Sequence, residues 1–360
     1  MATTKLKNQL RYSAIKSLKA LRLPSLRYYP SKEISLKEYL KKGRLSKIRD
    51  LGEDKFILTL PNGRVWSSNG TIITEDNTFI KEINRNSNDG SKNIIFYQKS
   101  IIKPVKIDGC AVVVAVPWGS VYYHWMVDVL PRLELVKEAG LFENIDHLVI
   151  NEVQKDFQLV VLNKIGIPLS KTIQVKDIWN THYQFDQLIV PSFVSEPNRS
   201  DLLTILSIEK HFPSLETNSR IEDLPKKIYL GRTKANNRKL LNESDILPFL
   251  MMHGFEEIFP ENHTVSEQAE IFRNAQIIVG VHGSALTNIV FCKPDTTVFD
   301  IAAPEWINNC FQDICELKKL HYIRIIGDKF LRTKDIDKGA DIHLSKAKVI
   351  FLQESILQLL

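Results

Sequence analysis

One segment of the chain, residues 277–291, constrains the fold more than any other part of the sequence. It starts with the uninterrupted apolar run Ile277–Gly280, reaches a second glycine at Gly283 and continues as a predicted helix over 284–291. Such a run is typical of a parallel strand covered on both faces. Glycine lets the backbone approach a ligand closely, and the N–H groups at a helix start attract anions. The segment therefore predicts an α/β sheet with a phosphate site after this strand, although a turn without a ligand fits the pattern equally well.

Strands and helices alternate in two series along the chain, which predicts two α/β domains with largely parallel sheets. The predicted strands lie at 111–116, 147–151, 173–176 and 187–190 in the first series and at 228–231, 257–259, 277–280, 297–301 and 322–326 in the second. The predicted helices lie at 123–139, 154–164 and 200–211 in the first series and at 243–252, 266–274, 284–291 and 307–319 in the second.

These patterns divide the chain into five predicted regions. They are a basic N-terminal arm with a small antiparallel β meander (1–99), an N-terminal α/β domain (100–213), a polar linker (214–225), a C-terminal α/β domain (226–335) and a closing helix (336–360). Two consecutive α/β sheets are expected to form a cleft between them, because ligands of open α/β sheets bind outside the carboxyl ends of the strands.

The composition is that of an ordinary soluble globular protein, with 44% hydrophobic and 25% charged residues among 360. No apolar run reaches the roughly 20 residues that a membrane span requires. The N-terminus also lacks the apolar core of a secretory signal. The four cysteines show no paired metal spacing and indicate free thiols in a reducing compartment. We therefore expect a cytoplasmic protein.

Positive charge is concentrated at the N-terminus. Residues 1–50 contain 14 Lys or Arg and 3 Asp or Glu, a net charge of +11, which leaves −5 for the rest of the chain. Leucines and isoleucines fall on one side of a predicted helix in this arm and cations on the other, so the arm could lie on an anionic membrane at its inner face. A solvated arm, or a helix docked on its own domain, is the alternative. Nucleic acid is not expected, because aromatic residues are not interleaved along the basic run.

The first candidate site for chemistry follows the strand at 111–116. His124 and Asp128 are four residues apart and share one face of the predicted helix. A carboxylate in this position could orient the imidazole or could itself take a proton from a hydroxyl. A purely structural hydrogen bond between the two side chains explains the same spacing.

The second and third candidate sites follow strands of the C-terminal series. Arg232 and Arg238 belong to a cationic loop after the strand at 228–231 and could clamp a diphosphate, unless the loop is simply solvated. Asp300 ends the strand at 297–301, where an acidic residue can bind ribose hydroxyls or cap a turn. Gln268 follows a predicted capping box, Thr264 with Glu267, and could face the cleft.

The ordered motifs of the chain resemble glycosyltransferase family 61 in its bacterial form, over about residues 105–330. The matching elements are Tyr123-His124-Trp125, Asp128, Arg232, Asn242-Glu243, Gly254-Phe255, Glu267-Gln268, Ala275, His282-Gly283, Leu286-Thr287-Asn288 and Phe291-Cys292-Lys293-Pro294. Two positions depart from the family pattern. Ser284 stands where alanine is more usual, and Asp300 stands where glutamate is more usual and so has a shorter reach.

The resemblance implies a GT-B-like fold with two Rossmann-like domains that face each other. It also implies an inverting transfer of a sugar from a nucleotide-sugar donor to an acceptor hydroxyl, in surface polysaccharide or glycan biosynthesis. Asp128, favoured slightly over His124, would receive the acceptor proton. The residues expected to hold the donor are Arg232, Arg238, His282, Gly283, Ser284, Thr287, Asn288, Asp300 and Gln268.

The implied partners are a nucleotide sugar, as substrate rather than cofactor, and a glycan or lipid-linked acceptor. No metal is required by this scheme. The one Asp-x-Asp, at 335–337, lies in a polar loop, and the histidines are scattered. Two other function classes stay open. The first is a non-catalytic nucleotide-binding or polysaccharide-binding protein of the same fold, and the second is a metal-dependent hydrolase that uses His124, Asp128 and His282 as ligands.

Overall fold

The computed structural model describes residues 29–41, 47–52, 54–85, 93–98, 100–214, 224–232, 238–305, 307–328 and 341–360. The chain separates into two compact units, Met1–Pro197 and Asn198–Leu360. Each unit is built around its own sheet, and each is described by itself.

The first unit contains a mixed sheet whose centre is parallel. Strands β7, β8, β9 and β10 form this centre, in the spatial order β10-β7-β8-β9. Antiparallel partners extend the sheet on the β10 side, where β3 and β4 both pair with β10. The strand bounds are β1 Lys32–Ile34, β2 Lys47–Gly52, β3 Lys55–Pro61, β4 Arg64–Trp66, β5 Thr71–Ile73, β6 Thr78–Ile80, β7 Val105–Val113, β8 His147–Asn151, β9 Thr172–Val175 and β10 His182–Pro191.

Helices α1 (Leu36–Lys41), α2 and α3 (Asp156–Ile165) complete the first unit among its described residues. Helix α2 begins as Tyr122–His124, widens into a π-helical turn over Trp125–Val129 and continues as Leu130–Glu138. The widening has a local cause. Pro131 has no N–H to donate and its ring crowds the carbonyl four residues earlier, so a regular turn cannot form there. Such π turns are frequent at functional sites.

The second unit contains a five-stranded sheet that is parallel throughout, in the order β12-β11-β13-β14-β15. In chain order this is the doubly wound 2-1-3-4-5 arrangement, whose direction of winding reverses between β11 and β13. The sheet confirms the predicted Rossmann-like α/β class for this part of the chain. The strand bounds are β11 Lys227–Leu230, β12 Glu256–Ile258, β13 Ile277–Val281, β14 Thr297–Ala302 and β15 His321–Ile326.

Short helices cover the faces of this second sheet. A capping box opens α6, where Thr264 accepts from the Glu267 N–H and the Glu267 carboxylate accepts from the Thr264 N–H, as the sequence predicted. The segment after β13 is a 3₁₀-helix, Ser284–Phe291, rather than an α-helix. The α-helices are α4 Leu202–His211, α5 Leu247–Met252, α6 Val265–Asn274, α7 Cys310–Lys318 and α8 Lys346–Leu357.

Two predictions about organisation differ from the structure, and three fall outside it. The predicted strands near 56–83 do not form a separate meander, because β3 and β4 join the edge of the first sheet through β10. Helix α4, assigned from sequence to the first domain, belongs to the second unit. The amphipathic part of the basic arm, most of the linker at 214–225 and the Asp-x-Asp at 335–337 lie outside the described residues. Over the described residues, no helix combines the length and apolarity needed to cross a membrane.

Candidate active site

The candidate site of the first unit lies where the strand order of its parallel sheet reverses. Strand β7 has its successor β8 on one side and the later strand β10 on the other. Ligands of open α/β sheets bind outside the carboxyl ends of strands at such a point. Helix α2 follows β7 and carries His124 and Asp128, while the segment after β10 carries Phe193 and Ser195. The topology therefore brings these two segments to one place.

His124 and Asp128 form the side-chain pair that their spacing predicted. The Nδ1 atom of His124 lies 2.7 Å from Oδ2 of Asp128, and the two side chains are 22% and 14% exposed. A hydrogen bond at Nδ1 places the proton on that nitrogen and leaves Nε2 as the acceptor in the neutral ring. Among the described residues, no hydrogen bond reaches Nε2 of His124. The pair can therefore accept a proton at Nε2.

Arg85 is a third member of this site, which sequence reasoning did not identify. Its Nη2 atom lies 3.3 Å from the second oxygen of Asp128 and donates at 2.5 Å to the carbonyl of Ser195. The guanidinium also stacks over the Phe193 ring, with 4.0 Å from Cζ to the ring centre. Arg85 is separated from Asp128 by 43 positions in the chain and belongs to no recognisable motif. Only the tertiary contact reveals it.

These contacts set the charge of Asp128. Burial by itself would raise the pKa of the carboxyl. The hydrogen bond from His124 and the positive charges of His124, Arg85 and Arg132 outweigh that effect, so the pKa is lowered. A carboxylate that is held in its charged form by two partners is a weak proton acceptor. Its geometry suits it better to orient the imidazole.

Arg132 binds the two strand ends beside His124 and Asp128. It is buried, and it donates to the carbonyls of Pro191 and Val113, which end the neighbouring strands β10 and β7. Its Cζ atom lies 4.6 Å from the centre of the Phe193 ring. Burial, and next the charge of Arg85, lower the pKa of Arg132 to about 9. The side chain thus fixes the ends of both strands at which the site lies.

In the second unit the cationic residues meet at the reversal point between β11 and β13. Arg232 follows β11, and its Nη1 atom occupies the space beside Gly283 after β13. A Cβ added to Gly283 would come within 2.0 Å of that nitrogen. Glycine is required there for close approach, although its φ of 178° is an extended value that any residue adopts. The sequence predicted close approach of a ligand at Gly283, and the structure shows that a guanidinium makes that approach.

Arg238 reaches the same turn from the other end of its loop. Its Nη1 atom donates to the carbonyl of His282 at 3.1 Å. Burial, and next the charge of Arg238, lower the pKa of Arg232 to about 10. Burial likewise lowers the pKa of Arg238, although the Asp300 carboxylate partly offsets it. A bound anion would stabilise the charge of the partly buried Arg232, which burial and the neighbouring Arg238 both disfavour.

A cavity of about 290 Å³ opens beside this cluster. Its lining consists of Arg232, Lys239, Leu240, Leu241 and Glu243. The Tyr229 hydroxyl donates to Glu243 and holds the carboxylate of that residue at the wall. The first N–H groups of a helix have no partner inside it, so those of Ser284 and Ala285 add donors to the same turn. The cations and N–H donors at this end of the sheet are therefore suited to bind an anion.

His282 and Asp300 form a second His–Asp pair, across neighbouring strands. The Nδ1 atom of His282 lies 2.8 Å from Oδ2 of Asp300, and the side chains are only 3% and 0% exposed. Tyr322 donates its hydroxyl to the same oxygen at 2.6 Å. The Asn308 amide nitrogen lies 3.2 Å from Nε2 of His282 and can donate to it.

This network changes two of the predicted roles. Asp300 does not fit the prediction of a ribose ligand, because its carboxylate is fully buried beneath His282 and Tyr322. A hydrogen bond from His282 to a phosphate would require Asn308 to leave Nε2 first. The arrangement instead fixes the turn that holds Gly283 against Arg232.

Three further predicted ligand residues lie inside the fold. Gln268 donates to the carbonyls of Pro260 and His263, and its side-chain oxygen accepts from Asn288 at 2.7 Å. Asn288 and Thr287 are almost fully buried. The prediction that Gln268 faces the cleft and that the other two line the pocket does not fit these positions. The bond between Asn288 and Gln268 joins α6 to the Ser284–Phe291 helix, and Thr287 is buried inside the fold.

The family model described as Glycosyltransferase 61 matches residues 122–299. The chain therefore carries a glycosyltransferase family 61 domain. The match begins at α2 and ends in β14, so it includes His124, Asp128, Arg232, Arg238 and the Gly283 turn. Arg85 and Tyr322 lie outside it.

Three curated proteins are similar to part of the family 61 chain. The β-1,2-xylosyltransferase of Arabidopsis thaliana is 36% identical over 84 residues, which are 23% of this chain and 16% of that protein. The EGF domain-specific O-linked N-acetylglucosamine transferase of Drosophila melanogaster is 29% identical over 97 residues, 26% of this chain and 18% of that protein. The enzyme of that name from Gallus gallus is 30% identical over 91 residues, 24% and 17% of the two chains. The chain thus spans less than a fifth of the length of these relatives.

Within the parts of the chain that the structure describes, no group of three or more His, Cys, Asp or Glu side chains is arranged to hold a metal ion. All four cysteines are free, which confirms the expected thiols.

Proposed function

We propose that this protein is an inverting glycosyltransferase that moves a sugar from a nucleotide-sugar donor to an acceptor hydroxyl, in the synthesis of a surface polysaccharide or other glycan. One observation carries the proposal. The reversal point of one sheet holds a proton acceptor, His124, and that of the other holds paired cations, Arg232 and Arg238. The similarity to a xylosyltransferase and to N-acetylglucosamine transferases supports glycosyl transfer.

The acceptor side uses His124 as the base. As the acceptor oxygen bonds to the anomeric carbon, its proton passes to Nε2 of His124. Asp128 holds the ring by Nδ1 and stabilises the imidazolium that forms, and Arg85 keeps the carboxylate in its charged form. A base that is positioned in this way contributes about 10²–10⁴ in rate. The sequence slightly favoured Asp128 as the base, and the two partners of its carboxylate reverse that preference.

The donor side stabilises the leaving group. The bond between the anomeric carbon and the diphosphate oxygen breaks as the new bond forms on the opposite face, which inverts the configuration. Negative charge then grows on the nucleoside diphosphate. Arg232, Arg238 and the N–H groups at Ser284 and Ala285 supply fixed positive charge and donors there.

Other parts of the proposal follow from the family resemblance. We propose a GT-B arrangement in which both units contribute to one reaction site, with no metal ion or cofactor. We also propose a cytoplasmic protein whose residues 1–50 contact an anionic membrane at its inner face, where a glycan or lipid-linked acceptor would be reached.

The decisive experiment measures release of nucleoside diphosphate from a panel of nucleotide sugars, with nucleotide-activated xylose and N-acetylglucosamine first. We expect turnover with at least one donor, persistence of that turnover in EDTA, and inversion at the anomeric carbon by NMR. Binding of a nucleotide sugar without turnover would identify a non-catalytic binding protein instead. Loss of activity in EDTA, with recovery on adding a divalent cation, would contradict the metal-independent scheme.

A further inference from the structure

We infer that Trp118 is the platform on which a sugar ring of the acceptor stacks, which rests on the proposed glycosyl transfer. Trp118 lies in the turn between β7 and α2, and therefore on the same connection that delivers His124 to the site. Trp118 is 68% exposed, whereas Trp125 in the helix that follows is fully buried. Tryptophan combines a large apolar ring with an N–H donor, so an exposed indole beside His124 and Asp128 offers a stacking surface to a ligand.

The backbone of Trp118 is held in an unfavourable conformation. Its φ of 61° lies in the left-handed region, where a bulky side chain is a true outlier. Backbone strain of this kind persists only where the surrounding structure enforces it, and it is concentrated at functional sites. A glycine in this position would adopt the same φ without strain. The chain instead places its largest side chain there.

The surrounding turn enforces that conformation through Asn151, which is buried at the end of β8. Its side-chain oxygen accepts from the Val116 N–H at 3.0 Å, and its amide donates to the carbonyls of Val116 and Ser68. Gly119 lies so close to Asn151 that an added Cβ would come within 1.9 Å of that oxygen. The Trp118 carbonyl accepts from the Val121 N–H at 2.8 Å. The turn is thus fixed on both sides of Trp118.

A fixed, exposed indole binds a carbohydrate at a lower cost in conformational entropy than a flexible side chain does. One face of a pyranose ring presents several C–H groups, which pack against the electron-rich face of an aromatic ring. Because the turn already holds the indole in place, little conformational freedom is lost on binding. The position on the connection to His124 indicates the acceptor sugar rather than the donor, whose diphosphate the second unit would hold.

Saturation-transfer NMR on the full chain tests this inference with methyl glycosides of xylose, glucose, galactose, mannose and N-acetylglucosamine. We expect at least one glycoside to receive saturation. Trp118→Gly should lower that transfer about fivefold or more, whereas Trp118→Tyr, which keeps a ring, should retain most of it. Leu169→Ala removes an exposed apolar side chain before the amino end of β9 and should have no effect.

Thermal unfolding separates this role from a structural one. Glycine relieves the strained φ but gains freedom in the unfolded chain, so Trp118→Gly should melt within about 2 °C of the parent protein. The inference is overturned if no glycoside receives saturation from the parent protein, or if Trp118→Gly leaves the transfer unchanged. Glycoside binding that depends on Trp118 without any sugar transfer would reject the proposed function and the acceptor role, and would leave Trp118 as a sugar-binding residue.

Discussion

The two units of this chain each contain a histidine bound through Nδ1 to an aspartate, and the two pairs differ in almost everything else. In the first unit, His124 and Asp128 are neighbours on one helix and are partly exposed. In the second, His282 directly follows β13, Asp300 lies in the adjacent strand β14, and both are buried. Both pairs lie where the strand order of a sheet reverses. The same chemical pair is thus open to solvent in one unit and enclosed in the other.

The difference shows that the remaining ring nitrogen, rather than the His–Asp contact, determines what such a pair can do. Nε2 of His124 has no hydrogen-bond partner among the described residues, so it can receive a proton. Nε2 of His282 already faces the Asn308 amide. The first pair is suited to chemistry, and the second is suited to holding the anion-binding turn in shape.

The largest expected effect is on the rate of transfer. His124→Ala should lower kcat about 10³-fold, because the acceptor proton loses its base. The affinity for the nucleotide sugar should stay within a factor of about two, since the proposed donor site belongs to the other unit. Steady-state kinetics and donor titration would measure both. A variant that keeps parental kcat would remove His124 from the mechanism.

The second effect is on stability and contrasts the two aspartates directly. Asp300→Ala should lower the free energy of unfolding by about 3–5 kcal/mol, because it leaves His282 and Tyr322 buried without their shared partner. Asp128→Ala should cost less, about 1–2 kcal/mol, since water can reach that site. Urea titration of the two variants gives the comparison. Equal losses would show that the enclosed pair is no more structural than the open one.

The third effect is on donor binding. Arg232→Ala should weaken nucleoside diphosphate binding about 10–100-fold through loss of a charge-assisted contact. Gly283→Ala should also weaken it, because the new Cβ displaces the Arg232 guanidinium. Isothermal titration with UDP and GDP provides the measurement, and Arg273→Ala, whose guanidinium binds the Phe212 carbonyl, serves as a matched arginine control. Parental affinity in the Arg232 variant would place the diphosphate elsewhere.

The smallest effect concerns acid stability. The pKa of Asp128 is lowered in the folded protein from its ordinary value of 3.8. Its charged form therefore stabilises the fold fully above that value, and this contribution is lost as pH falls through the folded pKa. Asp128→Asn should flatten the dependence of unfolding free energy on pH below about 4. An unchanged slope in acid would show that His124 and Arg85 do not hold the carboxylate as described.

The local sequence pattern was sufficient to predict much of the architecture. Every predicted strand of the two α/β series has a counterpart, and the run Ile277–Gly280 lies within β13. The Thr264–Glu267 capping box and the His124–Asp128 contact were also predictable, because each depends on a separation of three or four residues along one helix. Such short separations make geometry nearly independent of the rest of the fold.

Contacts between distant parts of the chain were not predictable in this way. Arg85 reaches Asp128, Asn151 fixes the turn at Trp118, and Asp300 is buried under His282. Each contact depends on which strands become neighbours and how deeply their ends are covered. Sequence alone determined the elements, their order and the residues that follow each strand. Only the tertiary structure decided which of those side chains meet and which remain open to a ligand, because strand adjacency and burial are properties of the assembled sheet.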